Sequence, residues 1–200
     1  MRLVFFGPPG AGKGTQSAWL TAHLAIPHLS TGEMLRAVAA TGTEVGRAAE
    51  SCLAVGRLVP DPLVIRIIEQ RLAEDDCRPG FLLDGFPRTR RQAESLDEML
   101  ARRGTPLDLV LNLVVPEEML VQRLTARGRA DDTEEVIRQR LQVFYAETAP
   151  LLQHYQDQSL VRDVDGRGTP AEVRQRIQAV VEPPQTPPEA GEEGKGKREG

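Results

Sequence analysis

Residues 3–15 read Leu3-Val4-Phe5-Phe6-Gly7-Pro8-Pro9-Gly10-Ala11-Gly12-Lys13-Gly14-Thr15. Four apolar side chains in a row, without in/out alternation, predict a strand buried on both faces, as in a parallel sheet covered by helices. The next stretch fits G-x-x-x-x-G-K and leads into a helical pattern over 13–24. Strand, glycine loop and helix in that order make a phosphate cradle. Glycines let the main chain wrap so that successive N–H groups converge on oxygen, and the helix N-terminus adds partial positive charge. Gly10, Ala11, Gly12, Gly14 and Thr15 are therefore candidate triphosphate contacts, with Lys13 reaching the β- and γ-phosphates.

Lys13 also stands out by count. Of 25 basic residues only Lys13, Lys195 and Lys197 are lysines. A general preference for arginine explains the bias but not its one exception before the C-terminal segment. A lysine is worth keeping where a compact point charge fits and a planar guanidinium does not. Gly14 stands where the general motif has Ser or Thr, and the hydroxyl comes one residue later at Thr15. A metal-facing group must then be sought elsewhere. Asp84, at the end of the Phe81-Leu82-Leu83 run, stands where a Walker-B acid would hold Mg²⁺, directly or through water.

Further along, Phe81–Leu83, Leu109–Val115 and Leu160-Val161 are strand candidates of the same unalternating kind. Helical patterns lie at roughly 31–40, 61–73, 89–103, 117–127, 133–157 and 170–181. Asp61-Pro62 and Thr169-Pro170 are start signals, a cap residue followed by proline in the first turn. Strands alternating with helices predict an α/β fold with right-handed crossovers, whose ligands bind beyond the carboxyl ends of the strands.

Composition narrows the function classes. The 200 residues are 40% hydrophobic and 27% charged, enough for one domain with a real core. A net charge of -4 and eight aromatics (five Phe, two Tyr, one Trp) argue against nucleic acid as a partner. No apolar run is long enough to span a membrane, and the start lacks a signal peptide's pattern, so a cytoplasmic protein is expected. Cys52 and Cys77 form neither a disulfide framework nor a zinc spacing, so no zinc is expected. His23, His28 and His154 sit in no triad or ligand spacing and read as surface or packing residues. Arg102, Arg103, Arg174 and Arg176 read as solvated helix faces. Residues 182–200, with four prolines, four glycines and eight charges, are expected to be a disordered tail.

More specific chemistry lies in Leu29-Ser30-Thr31-Gly32-Glu33-Met34-Leu35-Arg36, Gly56-Arg57-Leu58-Val59-Pro60-Asp61, Asp84-Gly85-Phe86-Pro87-Arg88-Thr89 and Gly128-Arg129-Ala130-Asp131-Asp132. Together with the cradle, these five motifs stand in the order found in the adenylate kinases, which the chain resembles from Leu3 to about Val181. The resemblance implies a P-loop NTPase-type parallel sheet flanked by helices over 1–181. It also implies a helical NMP-binding insertion at about 30–59 and a short lid at about 126–132. Its implied activity is reversible transfer from MgATP to AMP giving two ADP, in a monomer, with no covalent enzyme intermediate.

By the same resemblance, AMP contacts fall to Thr31, Arg36, the backbone at Arg57, Leu58 and Val59, the segment Gly85, Phe86, Pro87 and Arg88, and Gln92, whose amide would read the adenine edge. Arg123, Arg127 and the Gly168 carbonyl fall on the ATP side. Arg129 and Arg140 would contact the transferring phosphate and AMP, making Lys13, Arg88, Arg129 and Arg140 the catalytic set. Charge alone favours such an allocation. Two polyanions must be brought together, and always-charged, bidentate guanidiniums suit that task. The same motifs also fit a kinase of pyrimidine monophosphates, or a nucleotide-binding switch without transfer activity. Thr31 and Gln92 favour adenine over the first, and the second arginine set favours transfer over the second.

Overall fold

The computed structural model describes residues 1–128 and 133–182. Five parallel strands form one sheet in the order β2-β3-β1-β4-β5: β1 Arg2–Phe6, β2 His28–Ser30, β3 Phe81–Asp84, β4 Leu109–Val114 and β5 Val161–Asp165. Along β1, Val4 and Phe6 face one apolar cluster while Leu3 and Phe5 face the other. Both faces are therefore covered, as the unalternating sequence predicts. The chain leaves β1 toward β2 and β3 and crosses back to β4 and β5. The ends of β1 and β3 thus open onto the crevice where such sheets bind ligands.

The helices are α1 Lys13–Leu24, α2 Thr31–Ala39, α3 Glu44–Ala54, α4 Asp61–Leu72, α5 Arg90–Arg102, α6 Glu117–Arg127, α7 Glu134–Val143, α8 Leu151–Gln156 and α9 Pro170–Val181. Caps account for several starts. Ser30, Thr43, Thr89 and Thr133 each accept a main-chain N–H three residues on, and Thr169 with Glu172 completes a capping box.

Three expectations need correction. Leu160-Val161 leads into an edge strand whose Arg162 and Asp163 are exposed, because β5 has a neighbour on one side only. The pattern over 133–157 is not one helix. A π-helical turn, Phe144–Thr148, separates α7 from α8 ahead of Pro150, which can neither donate to a helical ladder nor sit under the carbonyl four residues back. Of the four arginines read as solvated, Arg176 departs from that reading, being half-buried, and three make specific contacts. Arg103 donates to the Leu72 carbonyl, Arg174 lies 5.4 Å over the Trp19 ring, and Arg176 donates to the carbonyls of Asp165 and Arg167. Arg102, Arg103 and Arg174 are exposed, as expected, with Arg102 loosely paired with Glu69 and Glu98.

A candidate nucleotide site at the carboxyl edge of the sheet

The loop after β1 is shaped by its glycines. Gly12, the N-cap of α1, has φ 102° and no side chain to satisfy the first helical N–H groups, which remain available to an anion. Gly10 (φ 84°) packs so closely under α6 that a Cβ there would stand 2.8 Å from the Leu120 carbonyl oxygen. Lys13 folds back over the loop, its ammonium donating to the carbonyls of Gly7 (2.7 Å) and Pro8 (3.1 Å). Desolvation lowers the Lys13 pKa to about 8. Asp84 opposes that shift, and the positive charges of Arg88 and Arg127 add to it. A group so disposed gains its full charge when phosphate oxygens replace neutral carbonyls.

Asp84 ends β3, next to β1 in the sheet. Burial pushes its pKa up, but the His28 imidazole, Lys13 and Arg88 outweigh burial and hold it below the usual carboxylate range. His28 Nε2 stands 3.5 Å from Asp84 Oδ2, a close approach rather than a well-formed hydrogen bond. This places His28, on β2, in the wall of the central cavity, a position that its sequence context, suggesting only packing, does not predict. His23 and His154 are indeed peripheral, the one stacked on Trp19 and paired with Glu182, the other paired with Asp97.

The cavity, of ≈ 860 Å³, joins the two halves of the site. Its lining includes Gly10 to Thr15, Arg123, Arg127 and Gly168 on the one hand and Arg36, Leu58, Gly85 to Arg88 and Arg140 on the other, and Asp84 interacts with both Lys13 and Arg88. Gly85 (φ 83°) has room for no side chain: a Cβ would stand 2.6 Å from Thr31 Oγ1 and 2.9 Å from Arg88 Nη2. Thr31 is buried and donates to the Asp84 carbonyl, tying the start of α2 to the end of β3. At Arg88, desolvation lowers the pKa; Asp84 opposes this, while Arg140 and Arg36 add to it. Three guanidiniums therefore crowd together here.

Several sequence candidates are placed differently. Thr31, Arg57, Val59 and Gln92 are not among the cavity-lining residues. Gln92 is buried, its oxygen accepting from the Arg88 N–H (2.8 Å) and its nitrogen donating to Asp61 (2.7 Å). Each end of the amide keeps capacity for one more bond. Arg123 spends its guanidinium on carbonyls, those of Ala11 (3.2 Å) and Gly166 (3.0 Å), joining the cradle to the loop after β5. Arg129 lies outside the described residues, as do residues 130–132 of the expected lid and 183–200 of the expected tail.

A glycine cradle on the first strand, a carboxylate on its neighbour and a set of arginines in the same cavity define a P-loop nucleotide-binding α/β protein. Comparison with known proteins makes the class specific. A family model described as adenylate kinase matches residues 5–160. The chain is 49% identical over 181 residues to the adenylate kinase of Corynebacterium aurimucosum, covering 90% of this chain and 99% of that one. To that of Thermobifida fusca it is 50% identical over 185 residues, covering 90% and 98%. To that of Maricaulis maris it is 50% identical over 186 residues, covering 91% and 99%. The chain belongs to the adenylate kinase family.

Proposed function

We infer that this chain catalyses reversible phosphoryl transfer between MgATP and AMP, giving two ADP and maintaining the balance of adenine nucleotides. The observation that carries this reading is the shared cavity in which the P-loop with Lys13 faces Arg36, Arg88 and Arg140. A triphosphate on the cradle and a monophosphate among the arginines would meet end to end. Transfer then needs positioning and charge stabilisation, and no nucleophilic side chain, because the acceptor phosphate is already ionised.

In this reading Gly10 to Thr15 bind the donor phosphates, with Lys13 on the β- and γ-groups and Arg123, Arg127 and the Gly168 carbonyl on the ATP side. Residues 30–59 form the acceptor insertion. There Thr31, Arg36, Arg57 to Val59, Gly85 to Arg88 and Gln92 receive AMP, and Arg88 and Arg140 hold the acceptor and transferring phosphates. Arg129 completes the set by resemblance, within a short lid at 126–132. Closing that lid over both nucleotides keeps water from competing with AMP.

Mg²⁺ suits this donor set. Among the described residues no group of three or more His, Cys, Asp or Glu could hold a metal ion. Asp84 is one carboxylate kept ionised, and Mg²⁺ commonly uses one or two carboxylates with phosphate oxygens and water. When bound, the ion would neutralise phosphate charge, with Asp84 holding it through water. Zinc has no part in this reading. Among the described residues no helix is long and apolar enough to cross a membrane. The chain acts as a cytoplasmic monomer, with nucleotides as its partners.

The test is an acceptor panel. With MgATP as donor, the purified chain should make ADP rapidly with AMP and at least tenfold more slowly with UMP, CMP or GMP. Preference for a pyrimidine acceptor would overturn the adenine assignment, and ADP release independent of acceptor would overturn transfer.

A further inference from the structure

Arg88 hangs from a short loop between β3 and α5, where main-chain freedom would blur the position of its charge. Its guanidinium stays near the loop, Nε donating to the Gly85 carbonyl (2.7 Å). Its main chain is held at both ends by side chains. The N–H donates to Gln92 Oε1, and the Gln92 amide is itself fixed by Asp61, which also accepts from the Thr89 hydroxyl (2.9 Å). The carbonyl accepts from the hydroxyl of Thr148 (3.0 Å), 60 residues away in sequence.

Thr148 is buried and ends the π-helical turn after α7, the helix carrying Arg140. A π turn adds a residue to each hydrogen-bonded ring, so it rotates the next segment relative to an α-helical continuation. One stretch of chain therefore presents Arg140 to the cavity and, eight residues later, a hydroxyl to the Arg88 carbonyl. Arg88 and Arg140 carry like charges and would separate if free to do so.

We propose that Thr148 is a positioning residue for phosphoryl transfer: its hydroxyl, through the Arg88 carbonyl, fixes the Arg88 main chain to the π-helical turn that continues the helix bearing Arg140. The inference rests on the adenylate kinase reading and adds to it a residue in the cavity wall whose hydroxyl is spent on the Arg88 main chain. Loss of the hydroxyl would leave both arginines present but their spacing loose. A misplacement of about 1 Å can cost on the order of a hundredfold in rate.

The experiment compares wild type with Thr148→Val, which keeps the shape and loses the donor, and Thr148→Ser, which keeps the donor. Leu151→Ala serves as a destabilised control on α8. Turnover and both KM values are measured well below the melting temperature of each variant. The expected result is a fall in kcat of about tenfold or more for Thr148→Val, an unchanged KM for MgATP, and recovery of most of kcat in Thr148→Ser. Leu151→Ala should keep kcat. If Thr148→Val fails to fold, Thr148→Ala against Thr148→Ser is judged on the same criteria. Wild-type kcat without the hydroxyl, or losses that track thermal stability across all variants, would overturn the proposal. Failure of the underlying reading looks different: there the wild-type chain itself would make no ADP from MgATP and AMP.

Discussion

Nucleotide binding should draw a proton onto Lys13, and the amount can be worked out from the structure. The free protein holds this ammonium at a pKa of about 8 because it is desolvated against neutral carbonyls. Phosphate oxygens favour the charged form, so in the complex the pKa returns to its ordinary value of about 10.4 or above. The complex thus binds more protons than the free protein between those values, and by linkage affinity falls as pH rises through that window. The uptake should be roughly half a proton at pH 8 and roughly nine-tenths at pH 9. Between pH 7.5 and 9.5 the dissociation constant should rise about twentyfold, or about 1.8 kcal/mol. A phosphate monoester loses its last proton near pH 6, which leaves the window largely to the lysine. Calorimetric titration with a non-hydrolysable MgATP analogue, in buffers of different ionisation enthalpy, reads the uptake directly. Lys13→Met subtracts every other titrating group, including the N-terminal amine. Uptake that stays below about a tenth of a proton at pH 8.5, or survives unchanged in Lys13→Met, would refute the reasoning.

Other outcomes rest on single contacts. Lys13→Ala and Arg88→Ala should each lower kcat by about 10²- to 10⁴-fold with the fold intact by circular dichroism, since each removes a preorganised charge. Gly10→Ala places a Cβ 2.8 Å from the Leu120 oxygen at φ 84°, so denaturant unfolding should show a loss of about 2 kcal/mol or more. Tyr155 is fully buried, and its hydroxyl has no hydrogen-bond partner among the described residues. Tyr155→Phe should therefore raise stability by about 1 kcal/mol, or about 2–4 °C in melting temperature, without altering turnover.

The parts legible in the sequence are those with a local signature. The β1 strand, the cradle and α1 announce themselves through an apolar run, glycines that supply left-handed backbone, and one lysine. Asp84 can be placed because a buried strand precedes it. The features that escape such a reading depend on distant partners. His28-Leu29-Ser30 is too short and polar to read as a strand, and it is one only because β3 pairs with it. α3 is not separable within the insertion, since Gly46 and a run of small residues weaken its pattern. The π turn is invisible to periodicity, although Pro150 marks where a continuous helix must break. The anchoring of Arg88 by Thr148 spans 60 residues, and no spacing rule reaches that far. His28 beside Asp84 is a similar product of strand register.

Phosphorus NMR of the purified chain with MgATP, in the presence and absence of AMP, tests most directly whether two anion sites share one chamber. With AMP, the donor and acceptor signals should convert to those of ADP until equilibrium, with no inorganic phosphate beyond background; without AMP, the ATP spectrum should persist. Steady growth of inorganic phosphate, or an ATP spectrum unmoved by AMP, would contradict it.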